Sequence, residues 1–109
     1  MFAFPSTARI FVCQEVIDLR KGFESLGSLV ESLFQESITG GAYFAFFNRR
    51  RNRMKILYWD GDGLAIWFKR LEKGSFKRQD SNGFLVEKRD FLMMLEGIVP
   101  KTIQKRFRI

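Results

Sequence analysis

Residues 42–70, AYFAFFNRRRNRMKILYWDGDGLAIWFKR, decide the fold. Three stretches rich in aromatic and β-branched residues are separated by short polar segments, a pattern typical of consecutive antiparallel strands. They predict strands over 42–47, 53–59 and 64–69. A basic turn joins the first two strands. The turn Asp60-Gly61-Asp62-Gly63 joins the last two, because glycine tolerates the positive φ angles that hairpin turns impose.

Alternation along these strands predicts which side chains share a face of the sheet. One side is expected to be fully apolar and to carry Met54, Ile56, Tyr58, Leu64, Ile66 and Phe68. The other side is expected to mix aromatic and basic side chains, namely Arg53, Lys55, Leu57, Trp59, Ala65, Trp67 and Lys69. This contrast is the main structural clue; whether the cationic face is open or covered by the C-terminal tail stays open.

The segment before the meander predicts a further strand and a helix. Residues 9–14, RIFVCQ, are typical of a short strand. Apolar residues recur at steps of three and four from Phe23 to Phe34, which predicts an amphipathic helix. Asp18 is expected to cap that helix, because its carboxylate can accept hydrogen bonds from free backbone N–H groups.

A second helix is expected at about Lys88 to Glu96, because Gly97 and Pro100 would end it. The sequence therefore predicts a single α+β domain over residues 1–109. Its core would be an antiparallel β-meander of about four strands with two helices packed on it. A basic C-terminal tail follows at about 100–109.

The cysteine content fits a reducing compartment. The chain has 109 residues, of which 46% are hydrophobic, and a single cysteine, Cys13, that cannot form an internal disulfide. The longest apolar run, residues 42–47, is far shorter than the roughly 20 residues of a membrane helix. No signal peptide is recognisable at the start. We expect a cytoplasmic protein with no membrane partner; the oligomeric state stays open.

The charge is concentrated in the second part of the chain. The net charge is +7; residues 1–47 hold three basic and five acidic residues, whereas the rest hold 16 and 7. Such asymmetry favours a polyanionic partner, usually nucleic acid. Five positive charges fall within residues 48–55, at the predicted hairpin tip, where arginines can reach phosphates. The predicted nucleic-acid-binding residues are Arg49, Arg50, Arg51, Arg53, Lys55, Lys69, Arg70 and Lys73.

Trp59 and Trp67 are candidate stacking residues on the cationic face. Tryptophan can stack on unpaired bases or hold arginine by cation–π contact. The favoured interpretation is nevertheless core packing, because a small domain needs its large aromatics there.

The residues that catalysis commonly uses are scarce. Histidine is absent, which removes the commonest general base and metal ligand. Cys13 lies in a predicted strand and is expected to be a buried, inert thiol. Asp60 and Asp62 are explained better by a hairpin turn than by a metal site, because further ligands do not follow. We expect no enzymatic activity, no metal site and no cofactor.

Several stretches resemble the TnpB accessory proteins encoded by the second reading frame of IS66-type insertion sequences. The resemblance covers about residues 8–98 and is specific as a combination. It is carried by Asp18-Leu19-Arg20-Lys21-Gly22-Phe23 with Leu26 and Leu29, by Lys55, Trp59-Asp60-Gly61 and Leu64, by Lys69-Arg70-Leu71-Glu72 with Gly74 and Phe76, and by Leu95-Glu96-Gly97.

The resemblance implies a role in DNA transposition beside a separate transposase that carries out strand transfer. The implied partners are the DNA ends of the mobile element and the transposase of the same element. Two hypotheses follow: binding of DNA or of the transposase–DNA complex through the basic hairpin, or docking onto the transposase without DNA binding. A metal-dependent nuclease is a third and disfavoured reading.

Overall fold

The computed structural model describes residues 4–5, 7–78 and 85–95. The strands are β1 (Ile10–Val16), β2 (Tyr43–Phe47), β3 (Arg53–Trp59), β4 (Leu64–Arg70) and β5 (Leu85–Val86). The helices are α1 (Phe23–Leu29), which continues as a π-helical segment over Val30–Phe34, and α2 (Lys88–Leu95). The five strands form one sheet in the order β4-β3-β2-β1-β5.

The sheet is mixed. β1 runs parallel to β2, and the other neighbouring strands are antiparallel. The helical crossover between β1 and β2 permits the parallel pair, because parallel neighbours need a long connection. The α+β class and the meander β2-β3-β4 are confirmed, whereas the expectation of a purely antiparallel sheet is wrong. The short strand β5 was not predicted.

The first helical layer packs on one face of the sheet. Leu26, Val30 and Phe34 are buried there, spaced by four residues as an apolar helical stripe requires. The ring centroid of Phe34 lies 5.3 Å from that of Phe44 on β2. Phe23, at the start of the predicted stripe, is instead 49% exposed. The predicted helix is confirmed, but its first turn does not contribute to this core.

The start of α1 differs from the prediction. Gly22 precedes the helix, and no side chain caps it. Asp18 instead accepts hydrogen bonds from the backbone N–H and the guanidinium of Arg20. The expected capping role of Asp18 is therefore wrong, because this carboxylate is engaged within its own turn.

The opposite face of the sheet is covered by α2. Phe91, Met94 and Leu95 are buried against a cluster that includes Ile10 of β1 and Ile56 of β3. The helix occupies the predicted region, and its apolar positions are those that the sequence indicated. Since both faces are covered, β2 at the centre is almost entirely apolar and buried.

The register between β3 and β4 reverses one prediction. Met54 lies opposite Lys69, and Ile56 lies opposite Trp67. Paired residues of an antiparallel ladder point to the same face. The α2 side of β3 and β4 therefore combines Met54, Ile56 and Tyr58 with Ala65, Trp67 and Lys69. The expectation of a fully apolar side is therefore wrong. The alternation within each strand was predicted correctly, but the apolar set of β3 lies on the same face as the mixed set of β4.

Some predicted features lie outside the described residues: the turn at 80–83, the helix-ending Gly97 and Pro100, and the basic tail at about 100–109. In the part of the chain that the structure describes, neither helix has the length and apolar character needed to cross a bilayer.

Candidate nucleic-acid interface

The tip of the β2–β3 hairpin is fixed by two asparagines. The side-chain amide of Asn48 donates to Oδ1 of Asn52 over 2.7 Å. Oδ1 of Asn48 accepts from the backbone N–H of Arg53 over 3.0 Å. These side-chain bonds add to the backbone bond from the Asn48 N–H to the carbonyl of Arg53 over 3.3 Å, which closes the turn. They also hold Arg49 and Arg50, both exposed, at the outermost point of the hairpin.

Arg51 has a different environment from its two neighbours. Its guanidinium carbon lies 4.0 Å from the ring centroid of Phe47. Its Nε donates to the carbonyl of Phe76 and one of its terminal nitrogens to the carbonyl of Lys77, each over 3.0 Å. Burial, followed by the nearby charge of Arg78, lowers the pKa of the Arg51 guanidinium. Arg51 thus links the hairpin tip to the segment that follows β4.

The two predicted lysines on the strands bind backbone carbonyls on opposite sides of the sheet. Nζ of Lys55 donates to the carbonyl of Lys21, just before α1, over 3.0 Å. Nζ of Lys69 donates to the carbonyl of Leu95, in α2, over 2.9 Å. The structure therefore does not bring these two charges together, and each ties a helical layer to the sheet.

Arg53 and Arg70 are paired directly across β3 and β4. Like charges in this arrangement destabilise a sheet slightly unless a counter-charge is present. Glu72 supplies one for Arg70, at 3.1 Å from its Nε. Arg53 forms no ion pair with any described residue. Lys73 follows in the exposed turn after β4.

A groove of about 430 Å³ opens beside the hairpin tip, between it and the β1–α1 connection. Its basic lining residues are all arginines: Arg20, Arg49, Arg50 and Arg53. Its apolar lining comes from Val16, Ile17, Leu19 and Phe68, and its remaining lining residues are Asn48 and Asp18. Val16 is 49% exposed and Phe68 is 52% exposed, so the apolar part of the groove is open to solvent.

Asp18 is the acidic residue of this groove, and it neutralises Arg20. A carboxylate oxygen of Asp18 lies 2.7 Å from the guanidinium of Arg20. Hydrogen bonds from the Arg20 side chain and backbone hold the pKa of Asp18 well below its usual range. Arg49, Arg50 and Arg53 make no ion pair within the described part of the chain, so three charges in the groove are uncompensated.

Comparison with known proteins identifies the family to which this chain belongs. The family model described as IS66 Orf2-like protein matches residues 8–105. The chain belongs to this family. The matched region includes every strand and helix of the described fold. Membership confirms the resemblance seen in the sequence and is consistent with an accessory role in insertion-sequence transposition.

Two similar proteins come from Sinorhizobium fredii (strain NBRC 101917 / NGR234). The uncharacterized protein y4jC is 37% identical over 68 residues, which are 62% of this chain and 58% of y4jC. The uncharacterized protein y4hO is 29% identical over 75 residues, which are 69% of this chain and 65% of y4hO. The matched stretches thus span less than two thirds of either relative. No solved structure matches significantly.

The two tryptophans of this IS66 Orf2-like chain lie on opposite faces of the sheet. Trp67 is half-buried and packs against the cluster under α2, in agreement with the favoured interpretation of core packing. Trp59 lies on the α1 face, opposite Leu64, and is also half-buried. The expectation that both tryptophans share one cationic face is therefore wrong. The aromatic ring that lines the arginine groove is Phe68.

Sequence reasoning missed Phe68, and the turn length could have indicated it. The four-residue turn from Asp60 to Gly63 sets Trp59 opposite Leu64, and this register places Phe68 opposite Lys55. Nζ of Lys55 lies 5.7 Å from the Phe68 ring centroid. Counting back from the turn would therefore have placed this ring beside the basic residues.

Further basic residues near the tip were also left out of the predicted set. Arg51 binds the carbonyls of Phe76 and Lys77, which fixes the segment carrying Lys77 and Arg78 beside the hairpin. Both residues are exposed. The basic stretch after β4 was visible in the sequence, but only the contact with Arg51 shows that it returns to the tip.

The disfavoured chemical sites have ordinary structural explanations. The N–H of Asp60 donates to the carbonyl of Gly63 over 2.8 Å, and Gly61 has a φ of +84°, as the predicted hairpin turn requires. Cys13 is buried, and burial raises the pKa of its thiol. Among the described residues, no three Cys, Asp or Glu side chains cluster in a way that could hold a metal ion.

Proposed function

We propose that this chain binds DNA, or the transposase–DNA complex, as an accessory protein of insertion-sequence transposition. The observation that carries the proposal is the uncompensated charge of Arg49, Arg50 and Arg53 around one groove. Arginine binds phosphate bidentately, and an exposed hairpin can follow a nucleic-acid backbone. Lys73, Lys77 and Arg78 would extend this surface.

The roles of the individual basic residues differ within the proposal. Arg49 and Arg50 are exposed and are proposed as direct phosphate contacts. Arg51, whose side chain already binds two carbonyls, is proposed to position the tip. Lys55 and Lys69 add positive potential, while their hydrogen bonds serve the fold.

Fluorescence anisotropy with labelled duplex DNA from the element ends tests the proposal. The double variant Arg49→Ala/Arg50→Ala is expected to bind more weakly and to reduce the slope of log K against log salt by about 2, since each lost phosphate contact contributes about 0.9. The control Arg9→Ala/Arg89→Ala removes the same charge: Arg9 lies where β1 and β2 begin, and Arg89 lies on α2. Equal affinity and slope for both double variants would contradict the proposal.

The alternative function is docking onto the transposase without DNA binding. In this alternative the uncompensated charge of the hairpin tip would meet an acidic surface of the transposase instead of phosphates. Co-purification with the transposase after nuclease treatment, without measurable DNA affinity of the isolated chain, would support this alternative.

We also propose that the chain has no catalytic activity of its own. The absence of histidine and the burial of its one cysteine support this proposal. Incubation of the purified chain with duplex and single-stranded DNA and magnesium is expected to give no cleavage. Cleavage that Asp60→Asn abolishes would overturn the proposal.

A further inference from the structure

We infer that the arginine groove beside the hairpin tip binds an unpaired segment of nucleic acid, with phosphates on Arg49, Arg50 and Arg53 and a base against the ring of Phe68. This inference rests on the proposed function and specifies the form of nucleic acid that the site takes. The groove, about 430 Å³ in volume, is in the range of sites that hold small organic groups.

The apolar lining distinguishes an unpaired strand from a duplex. Phe68 and Val16 each leave about half of their surface exposed, and both line this groove. A duplex presents phosphates and base edges to a protein, with the flat faces of its bases stacked on one another. An unpaired base offers its flat face, which stacks on aromatic side chains with little dependence on sequence.

The position of Phe68 fits stacking beside a phosphate backbone. It lies directly opposite Lys55, whose ammonium is 5.7 Å from the ring centroid. Arg53 is two residues away on the same face of β3 and lines the same groove. The ring is therefore next to the charges that would hold the phosphates, as in surfaces that bind single strands.

The type of charge suits a ligand that combines anionic groups with flat rings, as nucleic acid does. All four basic lining residues are arginine. The planar guanidinium binds phosphate bidentately and also stacks on bases, whereas lysine acts mainly as a point charge.

Binding of a 20-nucleotide single strand and of its duplex, compared by anisotropy at fixed salt, tests this inference. Phe68→Ala is expected to weaken binding of the single strand by roughly 5- to 150-fold, the range reported for loss of one base–aromatic stack. Phe68→Trp is expected to retain binding, and duplex affinity should change less than twofold. The matched control is Phe23→Ala, which removes an equally exposed phenylalanine outside the groove.

Asp18→Asn gives a second test, because a gain of binding is not expected from damage to the fold. This variant frees Arg20 from its ion pair and leaves the groove without its carboxylate. Affinity for the single strand should rise severalfold, and the salt slope should steepen by about 0.7, the contribution of one further phosphate contact. Unchanged affinity and slope would place Arg20 and the groove outside the binding surface.

The outcomes separate this inference from the proposed function. If duplex binding depends on Arg49 and Arg50 while Phe68→Ala behaves like Phe23→Ala, the inference fails and the proposed function stands. If neither form of DNA binds, whether the chain is assayed alone or together with the transposase, both fail. Displacement of the single strand by an acidic transposase peptide, with Phe68→Ala affecting only the peptide, would assign the groove to a protein ligand and overturn the inference.

Discussion

Replacing Arg51 with alanine would remove the side chain that joins the hairpin tip to the segment after β4. Its guanidinium lies over Phe47 at 4.0 Å and donates to two backbone carbonyls. Two further backbone bonds join the same elements: Phe76 N–H to the carbonyl of Arg51 over 2.6 Å, and Leu71 N–H to that of Asn52 over 2.7 Å. The variant therefore removes the side-chain part of a contact whose backbone bonds remain.

The expected loss can be worked from these contacts. Hydrogen bonds from a charged donor contribute about 1.5–3 kcal/mol, and a partly desolvated cation–π contact about 0.5–2 kcal/mol. Because contacts of one side chain are not additive, Arg51→Ala is expected to lower the free energy of unfolding by about 2–4 kcal/mol. Arg49→Ala and Arg50→Ala, which change exposed side chains, should stay within about 0.5 kcal/mol of the parent chain.

The backbone at Arg51 supplies an internal control. Its φ of 54° is in the left-handed region, where a residue with a Cβ is strained by about 1 kcal/mol relative to glycine. Arg51→Gly loses the same side-chain contacts as Arg51→Ala but relieves this strain. The glycine variant should therefore be more stable than the alanine variant by about 1 kcal/mol, although less stable than the parent.

Urea denaturation followed by far-ultraviolet circular dichroism measures these differences, provided that the slope with denaturant is unchanged. In DNA-binding assays below the unfolding transition, Arg49→Ala should show the opposite profile, with normal stability and weakened binding. If Arg51→Ala unfolds at the same urea concentration as Arg49→Ala, the assignment of Arg51 as a structural link is refuted.

Three further predictions concern other parts of the chain. Gly61→Ala should lower the free energy of unfolding by about 1 kcal/mol because φ is +84°, whereas Gly63→Ala, without positive φ or steric conflict, should be neutral or stabilising by up to about 1 kcal/mol in the same denaturation assay. The carboxyl pKa of Asp18, measured by NMR titration, should lie below its usual 3.8 and return towards that value in Arg20→Gln. The stabilisation from the ion pair is complete above the unfolded-state pKa of Asp18 and is lost as the pH falls through its lowered folded-state pKa. Cys13, whose buried thiol has a raised pKa, should react with iodoacetamide far more slowly in the folded chain than in urea, and equal rates would contradict its burial.

Local sequence pattern predicted the elements of the fold well. The strands of the meander and both helices lie within a few residues of their predicted bounds, because alternation and helical periodicity are local properties. The parallel pairing of β1 with β2 was missed. Pairing between strands separated by a helix depends on how the chain packs, and periodicity within each strand does not encode it.

The candidate site was predicted in composition but not in arrangement. Arg49, Arg50 and Arg53 lie together as expected, because they belong to one short hairpin. Arg51 and Lys69 are engaged by carbonyls far away in sequence, so their roles could not be read from the run of charges. Phe68 depended on register, in which a shift of one residue moves every side chain to the other face.

The distribution of ion pairs explains why the hairpin tip, among all basic segments, is the surface to test. Arg9 pairs with Glu36 and Arg20 with Asp18, so two of the three bases in residues 1–47 have an ion-pair partner in that part of the chain. In the described part of the second half, one arginine, Arg70, forms an ion pair. The charges at the tip repel one another in the free chain, and a polyanion relieves that repulsion while releasing its own counterions. Affinity at this surface should therefore depend on where the charges lie more than on how many the chain carries, which is why the Arg9→Ala/Arg89→Ala control removes equal charge from a different place.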